Sequence, residues 1–425
     1  MVNPIRLLVL IFIHLAMLSY GALFAEHVAA QDSSGAVEHV QRGVELADSG
    51  DIDGAFTEFN KAIELDPMLA RAYYGRGVLW GGKGQPDKAI ADYDQAIKLD
   101  PMYAIAYVNR GLQRENKGDL DGGLADFNMT INLNPPAPIL SLAYLNRSNI
   151  NKAKGNFDLA IADADRSIEL NPKLGVTYSN RGELFRLEHK YDRAIADLNQ
   201  AIAISPRFAA AYYNRGLVYA DQNDLDHAIA DFDQAIANSP KMAVAFMARG
   251  NAYRGKGDNA RSLSDLDSAI GIDPNYALAY SNRGVTHNAM GQYDLALKDF
   301  DRAIALNPKE PAFYTNRGEG LRHQGEFAKA IADYGQAIAI NPQFINPYIG
   351  RGLAHLQSHD YPAALSDFDA AYKLNPKAIE ALFYRGLIKR KLGDTAGGNA
   401  DLAQVKAIDP TEPEKEQKAI KELGF

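Results

Sequence analysis

Eleven arginines stand in step along this chain: Arg42, Arg76, Arg110, Arg147, Arg181, Arg215, Arg249, Arg283, Arg317, Arg351 and Arg385. An acidic residue follows each one sixteen positions later: Glu58, Asp92, Asp126, Asp163, Asp197, Asp231, Asp265, Asp299, Asp333, Asp367 and Asp401. A row of guanidiniums can grip an acidic ligand through bidentate hydrogen bonds. It can also be satisfied inside the fold. An acid accompanying every copy favours the second use, a partly buried ion pair per copy, shared with the neighbouring copy. The expected ladder includes Arg181 with Asp197, Arg215 with Asp231, Arg249 with Asp265, Arg283 with Asp299 and Arg317 with Asp333.

Six of these arginines follow directly on an asparagine: Asn109, Asn146, Asn180, Asn214, Asn282 and Asn316. An amide both donates and accepts, which suits capture of an extended peptide backbone. The alternative is a helix-surface amide bonded to its own neighbours, and the sequence does not choose between them. Further along the same register lie Glu183, Arg186, Asn251, Arg254, His287, Asn288, Glu319 and Arg322. With the asparagines they form a candidate partner-binding groove. An earlier stretch is more apolar, with Tyr74, Val78, Val108 and Leu112.

Other chemistry finds no residues. The chain has no cysteine, which removes disulfides, thiolate metal sites and thiol nucleophiles. His355 and His359 are four apart, but the glutamate of a zinc-binding helix does not follow His355. No phosphate loop, nucleophile elbow or dinucleotide fingerprint occurs. No catalytic residue, cofactor or metal is therefore expected. Net charge is −8 without a basic block, so nucleic acid is not an expected partner.

The elements that position these residues are set by a proline ladder: Pro67, Pro101, Pro135, Pro172, Pro206, Pro240, Pro274, Pro308, Pro342, Pro376 and Pro410. The spacing is 34 residues except for 37 between Pro135 and Pro172. A period of 34 marks a solenoid of helix–turn–helix units. With the proline at position thirty-two, the arginine falls at seven and the acid at twenty-three. Position eight is glycine in ten copies, with Ser148 as the exception, and position twenty is always small, as in Ala194 and Ser262. Glycine in a helix costs ~1 kcal/mol against alanine, so close approach of two helices is expected there. Position fifteen is Gly, His189, Asn223 or His359, a left-handed cap ending the first helix. The residue before each proline is driven out of the α region and closes the second. Helices of about 13 residues lie between the breaks. The three extra residues around Pro136 predict a local break, either a bend or a tolerated insertion.

Aromatics at four and twenty-four, glycine at eight, small residues at twenty and proline at thirty-two together resemble the tetratricopeptide repeat. The match covers residues 36–412 in eleven tandem copies. Position eleven departs from that pattern, with Trp80, Phe185, Tyr219 and Tyr253 in four copies but Arg114, Asn151, His287, His355 and Lys389 in five. Some of these polar side chains are expected to face the groove. The resemblance implies an all-α, right-handed superhelical solenoid whose first helices line a concave face for an extended peptide or partner helix. The lysine and arginine pattern of the subtype that grips a terminal carboxylate is missing.

Residues 1–30 read as a secretory leader: Arg6, an apolar run over Leu7–Leu18, and Val28-Ala29-Ala30 before Gln31. A retained N-terminal membrane anchor is the alternative. Residues 31–35 read as a short polar linker and 413–425 as an amphipathic capping helix. The expectation is a non-catalytic scaffold, periplasmic or secreted, that binds a protein or peptide segment. The alternatives are a structural protein that assembles with its own copies, or a subunit that recruits substrates to an envelope enzyme.

Overall fold

The turn residues dictate where every helix stops. In a computed structural model, which describes residues 34–408, twenty-two α-helices follow one another as pairs, with no strand among the described residues. Position fifteen takes positive φ throughout, from Gly84 at +70° to His189 at +58°, Asn223 at +59° and His359 at +63°. Glycine adopts that conformation without strain, and asparagine and histidine tolerate it. The next helix often starts on an aspartate whose carboxylate caps a free amide, as Asp51 does for Gly54 N at 2.9 Å. At the far end Asp66 is extended (φ −138°, ψ 93°) ahead of Pro67. Its Oδ1 accepts from Met68 N at 2.9 Å. Asp100, Asp273, Asn341 and Asn375 make the same turn, which explains the Asp and Asn before the prolines.

The chain divides into two compact units, 1–222 and 223–425. Within each unit a first helix packs on its own second helix, on the second helix before it, and on the neighbouring first helices. The leader, residues 31–33 of the expected linker and the capping segment 413–425 lie outside the described residues, while Ser34 and Gly35, read from the sequence as the end of that linker, instead open the helix Ser34–Ser49. Among the described residues no helix is long and apolar enough to cross a membrane.

The core is built from the glycine at position eight. A Cβ on Gly284 would lie 2.6 Å from Phe300, and one on Gly111 would lie 2.8 Å from Phe127. The main partner of this glycine is thus the ring at position twenty-four, more than the small residue at twenty. Where position twenty-four is leucine, the carbonyl of position twenty also comes close: Ala194 O would lie 3.2 Å from a Cβ on Gly182. Repeat four inverts the arrangement. Ser148 replaces the glycine, Ala164 replaces the ring, and Ser148 Oγ donates to Ala160 O at 2.6 Å.

The expected break near Pro136 does not form. The extra residues start the following helix early, giving 17 residues over Ala137–Ala153 where the first helices of the repeats on either side have 13. Proline is tolerated in a first turn, where its missing N–H has no partner to lose. One apolar cluster runs through the site, joining Phe127 to Ile139, Ala143 and Ile150. The residue before Pro135 is also unlike its counterparts, because Asn134 is left-handed at φ 48°.

Candidate partner-binding face

The arginine row lies inside the repeats. Arg181 Nε donates to Asp197 Oδ2 at 2.7 Å, and Nη2 donates to Oδ1 at 2.7 Å. Arg249–Asp265, Arg283–Asp299 and Arg317–Asp333 are bidentate in the same way. The remaining guanidinium edge reaches the second helix of the preceding repeat, as Arg283 Nη1 does to Asp267 Oδ1 at 2.6 Å. Each such arginine therefore ties three helices together, and the aromatic ring three residues earlier covers it, Tyr280 in the case of Arg283 and Phe246 in the case of Arg249. Hydrogen bonding to Asp299 holds the Arg283 guanidinium above its ordinary range, against the opposing effect of burial. Arg215, in the first unit, donates to Asn199 Oδ1 at 2.5 Å, while Asp231 lies buried in the second unit.

Repeat one is the exception. Arg42 is exposed and meets Glu38 at 3.4 Å, while Glu58 is taken by His39 Nδ1 at 2.5 Å. Histidine occupies the position where later repeats place the covering tyrosine, and it reaches the carboxylate first.

The polar residues at position eleven also turn inward, contrary to the expectation that they face a groove. Arg114 and Lys389 each meet the buried aspartate of their own repeat at 2.9 Å, and Asn151 Nδ2 donates to Asp163 Oδ2 at 3.0 Å. The Nε2 atoms of His287 and His355 stand 3.9 Å from Asp299 and Asp367. The aspartate is acceptor-only with several lone-pair sites, so a second donor suits it. His359 caps a turn beside Tyr361 Oη at 3.3 Å. No cluster of three or more metal-ligating side chains occurs among the described residues.

Four of the asparagines join successive first helices. Asn109 Nδ2 donates to Tyr74 Oη at 2.8 Å and Asn180 Nδ2 to Asn149 Oδ1 at 2.8 Å. Asn214 and Asn316 donate to Ser179 Oγ and Ser281 Oγ at 3.2 and 3.1 Å. Asn109, Asn146 and Asn180 are buried, whereas Asn214, Asn282 and Asn316 are half-buried.

Positions nine, twelve and thirteen carry the rest of this face. In the first unit Lys152 Nζ meets Glu183 Oε2 at 2.8 Å, and Arg186 Nη1 meets Asp221 Oδ2 at 2.7 Å. In the second unit Arg322 Nη1 donates to Gln357 Oε1 at 3.1 Å, Arg254 Nη2 lies 3.5 Å from Asn251 Oδ1, and Glu319 is exposed 3.8 Å from His323. Three buried side-chain atoms have no hydrogen-bond partner among the described residues: Arg186 Nε, Asn288 Oδ1 and Arg322 Nε. All three belong to position twelve of a first helix. Lys152, Asp221 and Gln357 were not singled out from the sequence, although their shared register was the available signal.

Glu115 also occupies position twelve. Burial pushes its carboxyl up to about 7, and the Lys152 charge opposes the shift only in part. A folded-state value above the unfolded one means that the neutral form stabilises the fold at low pH, and that this is lost as pH rises through about 7. Glu115→Gln should therefore melt higher than the parent chain well above pH 7 and match it below about 4.5. An equal offset at both pH values would show that Glu115 does not titrate in this way.

Tetratricopeptide repeat sequence models match residues 70–103, 209–242 and 277–310, residues 142–174, and residues 349–413. A TPR repeat model matches 43–81, 182–223, 250–291 and 321–359. Together these matches span more than half of the chain. No curated protein matches. Among solved structures, yeast Tom70 is 17% identical over 92% of this chain and 95% of that one, with a TM-score of 0.48. A tetratricopeptide repeat protein from Parabacteroides merdae is 19% identical, with 58% and 98% covered and a TM-score of 0.49. A chain of the APC/C hetero-tetramer Cut9–Hcn1 is 12% identical, with 92% of this chain and 97% of that one covered and a TM-score of 0.47.

Proposed function

We infer, from the premise that this chain belongs to the tetratricopeptide repeat family, that it is a protein-binding scaffold whose partner lies as an extended segment along the row of first helices. The family is one of interaction scaffolds, generally without catalysis of its own. A single observation supports the choice of face. The three unpartnered buried polar atoms all sit at position twelve of that row, whereas the arginine ladder is satisfied internally. A buried polar atom without a partner costs about 1–3 kcal/mol, and a bound segment would remove that cost. Export to the far side of the membrane is part of the proposal and rests on the sequence of residues 1–30.

Site-specific photo-cross-linking in living cells tests both parts. A photoreactive side chain at Asn288 should capture a partner. The same group at Lys298, exposed on the second helix of that repeat, should not. Adducts of equal yield at both positions would remove the first-helix face as the binding surface. Fractionation of the same cells should place the chain outside the cytoplasm with Gln31 at its amino terminus. A cytoplasmic chain that keeps Met1 would end the export reading.

A further inference from the structure

In two repeats an arginine at position twelve of a first helix finds its acceptor at position thirteen of the following repeat. Arg186 reaches Asp221 at 2.7 Å in this way, and Arg322 reaches Gln357 at 3.1 Å. For Arg254 the corresponding residue is Ala289, whose methyl accepts nothing. Its hydrogen-bond contact is instead with Asn251 Oδ1 at 3.5 Å, at the outer limit of such a bond. Burial holds the Arg254 guanidinium below its ordinary range, and no carboxylate offsets this. Every arginine of the internal ladder in repeats seven to nine has a bidentate aspartate. Arg254 is a half-buried cation beside them with no counter-ion among the described residues.

Two further unmet groups follow in the same register. Asn288, one repeat on, has a buried Oδ1 without a donor, and Arg322, one repeat beyond, has an unpartnered Nε. Arg322 is less bare than Arg254, because its charge acts on Glu380, and Glu319 stands one turn before it. The unmet groups read in order as cation, acceptor, cation. A peptide backbone N–H satisfies the acceptor, and carboxylates satisfy the cations. Groups waiting on both sides of Asn288 call for a chain that continues past it.

We propose that Arg254 anchors a side-chain carboxylate of an extended acidic segment, which passes over Asn288 and on to Arg322 along the first helices of repeats seven to nine. This rests on the scaffold reading above and adds the chemistry of the partner.

Fluorescence anisotropy with the full chain tests it. The probe is a labelled, end-blocked peptide alternating Glu and Ser, compared with its Gln–Ser counterpart and with a neutral peptide whose single carboxylate is its own terminus. The Glu probe should bind at least about ten-fold more tightly than either of the others, and added salt should weaken it. Arg254→Gln should abolish that preference while leaving the melting curve nearly unchanged, because the contact it gives up is the 3.5 Å approach to Asn251 Oδ1. Equal binding of the Glu and Gln probes, tighter binding of the terminal carboxylate, unchanged affinity in Arg254→Gln, or no binding of any probe would each overturn the proposal. Cross-linking at Asn288 is independent of these outcomes, so the scaffold reading is judged separately.

Discussion

Arg283→Ala should destabilise the second unit by ~3–5 kcal/mol, the range for breaking one side of a buried ion pair. Asp299 is buried, and Arg283 holds both of its oxygens, at 2.9 and 2.6 Å. Removing the guanidinium strands that carboxylate, and His287 at 3.9 Å is too far to replace it. The bond to Asp267 on the preceding second helix is lost as well. Asp299→Ala in the same chain should recover part of the loss, because the second change removes the stranded charge. In a solenoid each repeat leans only on its neighbours. The loss should therefore appear in hydrogen exchange as faster opening of the helices at 259–272, 277–289 and 293–306. Strictly additive single losses would show that the two side chains are not coupled.

Two other arginines set the scale. Arg42 is 58% exposed and meets only an exposed glutamate. Its replacement by alanine should stay within ~0.5 kcal/mol, as for most surface changes. Arg351 keeps Asp367 but finds Gly335 where its neighbours find an aspartate or asparagine. Its loss should fall between those of Arg42 and Arg283.

The repeat, its helix boundaries and the cap at position fifteen were legible because each follows from local backbone chemistry at a regular spacing. A left-handed turn needs Gly, Asn or His wherever it recurs, and a proline constrains the residue before it. Packing across repeats was less legible. The asparagines bond to the preceding first helix, a partner some 35 residues away, and no local pattern names that partner. Position eleven was misread because an Arg, His or Lys on a helix resembles a surface residue until the buried aspartate opposite is seen to accept from it. Near Pro136 the sequence left a bend and a tolerated insertion both open, because a proline closes a helix that precedes it but is tolerated in the first turn of one that follows. Pro138 sits in such a turn.

Repeat four shows how the core can be rebuilt, and this gives the second large effect. Phe300 is fully buried and fills the space left by Gly284. Phe300→Ala should cost ~3–5 kcal/mol through lost burial and the cavity it leaves. Gly284→Ser should cost ~1–3 kcal/mol by overpacking, since a Cβ there lies 2.6 Å from the ring. Yet Ser148 and Ala164 sit together at the same two positions, and the serine hydroxyl donates to the carbonyl twelve residues on. In the chain carrying both changes the ring no longer opposes the serine, part of the cavity is filled, and the hydroxyl reaches Ala296 O. The paired variant should thus be more stable than the sum of its parts by ~1–2 kcal/mol, within the range seen for residues in contact. Gly271→Ala provides the control. Nothing lies within 4 Å of a Cβ at that helical glycine, so the change should stabilise by ~0.5–1 kcal/mol from helix propensity alone. Urea unfolding of the four chains decides the matter: if Gly284→Ser and Phe300→Ala prove additive, the ring is not what requires the glycine, and direct approach of the two helix backbones at positions eight and twenty takes its place as the cause.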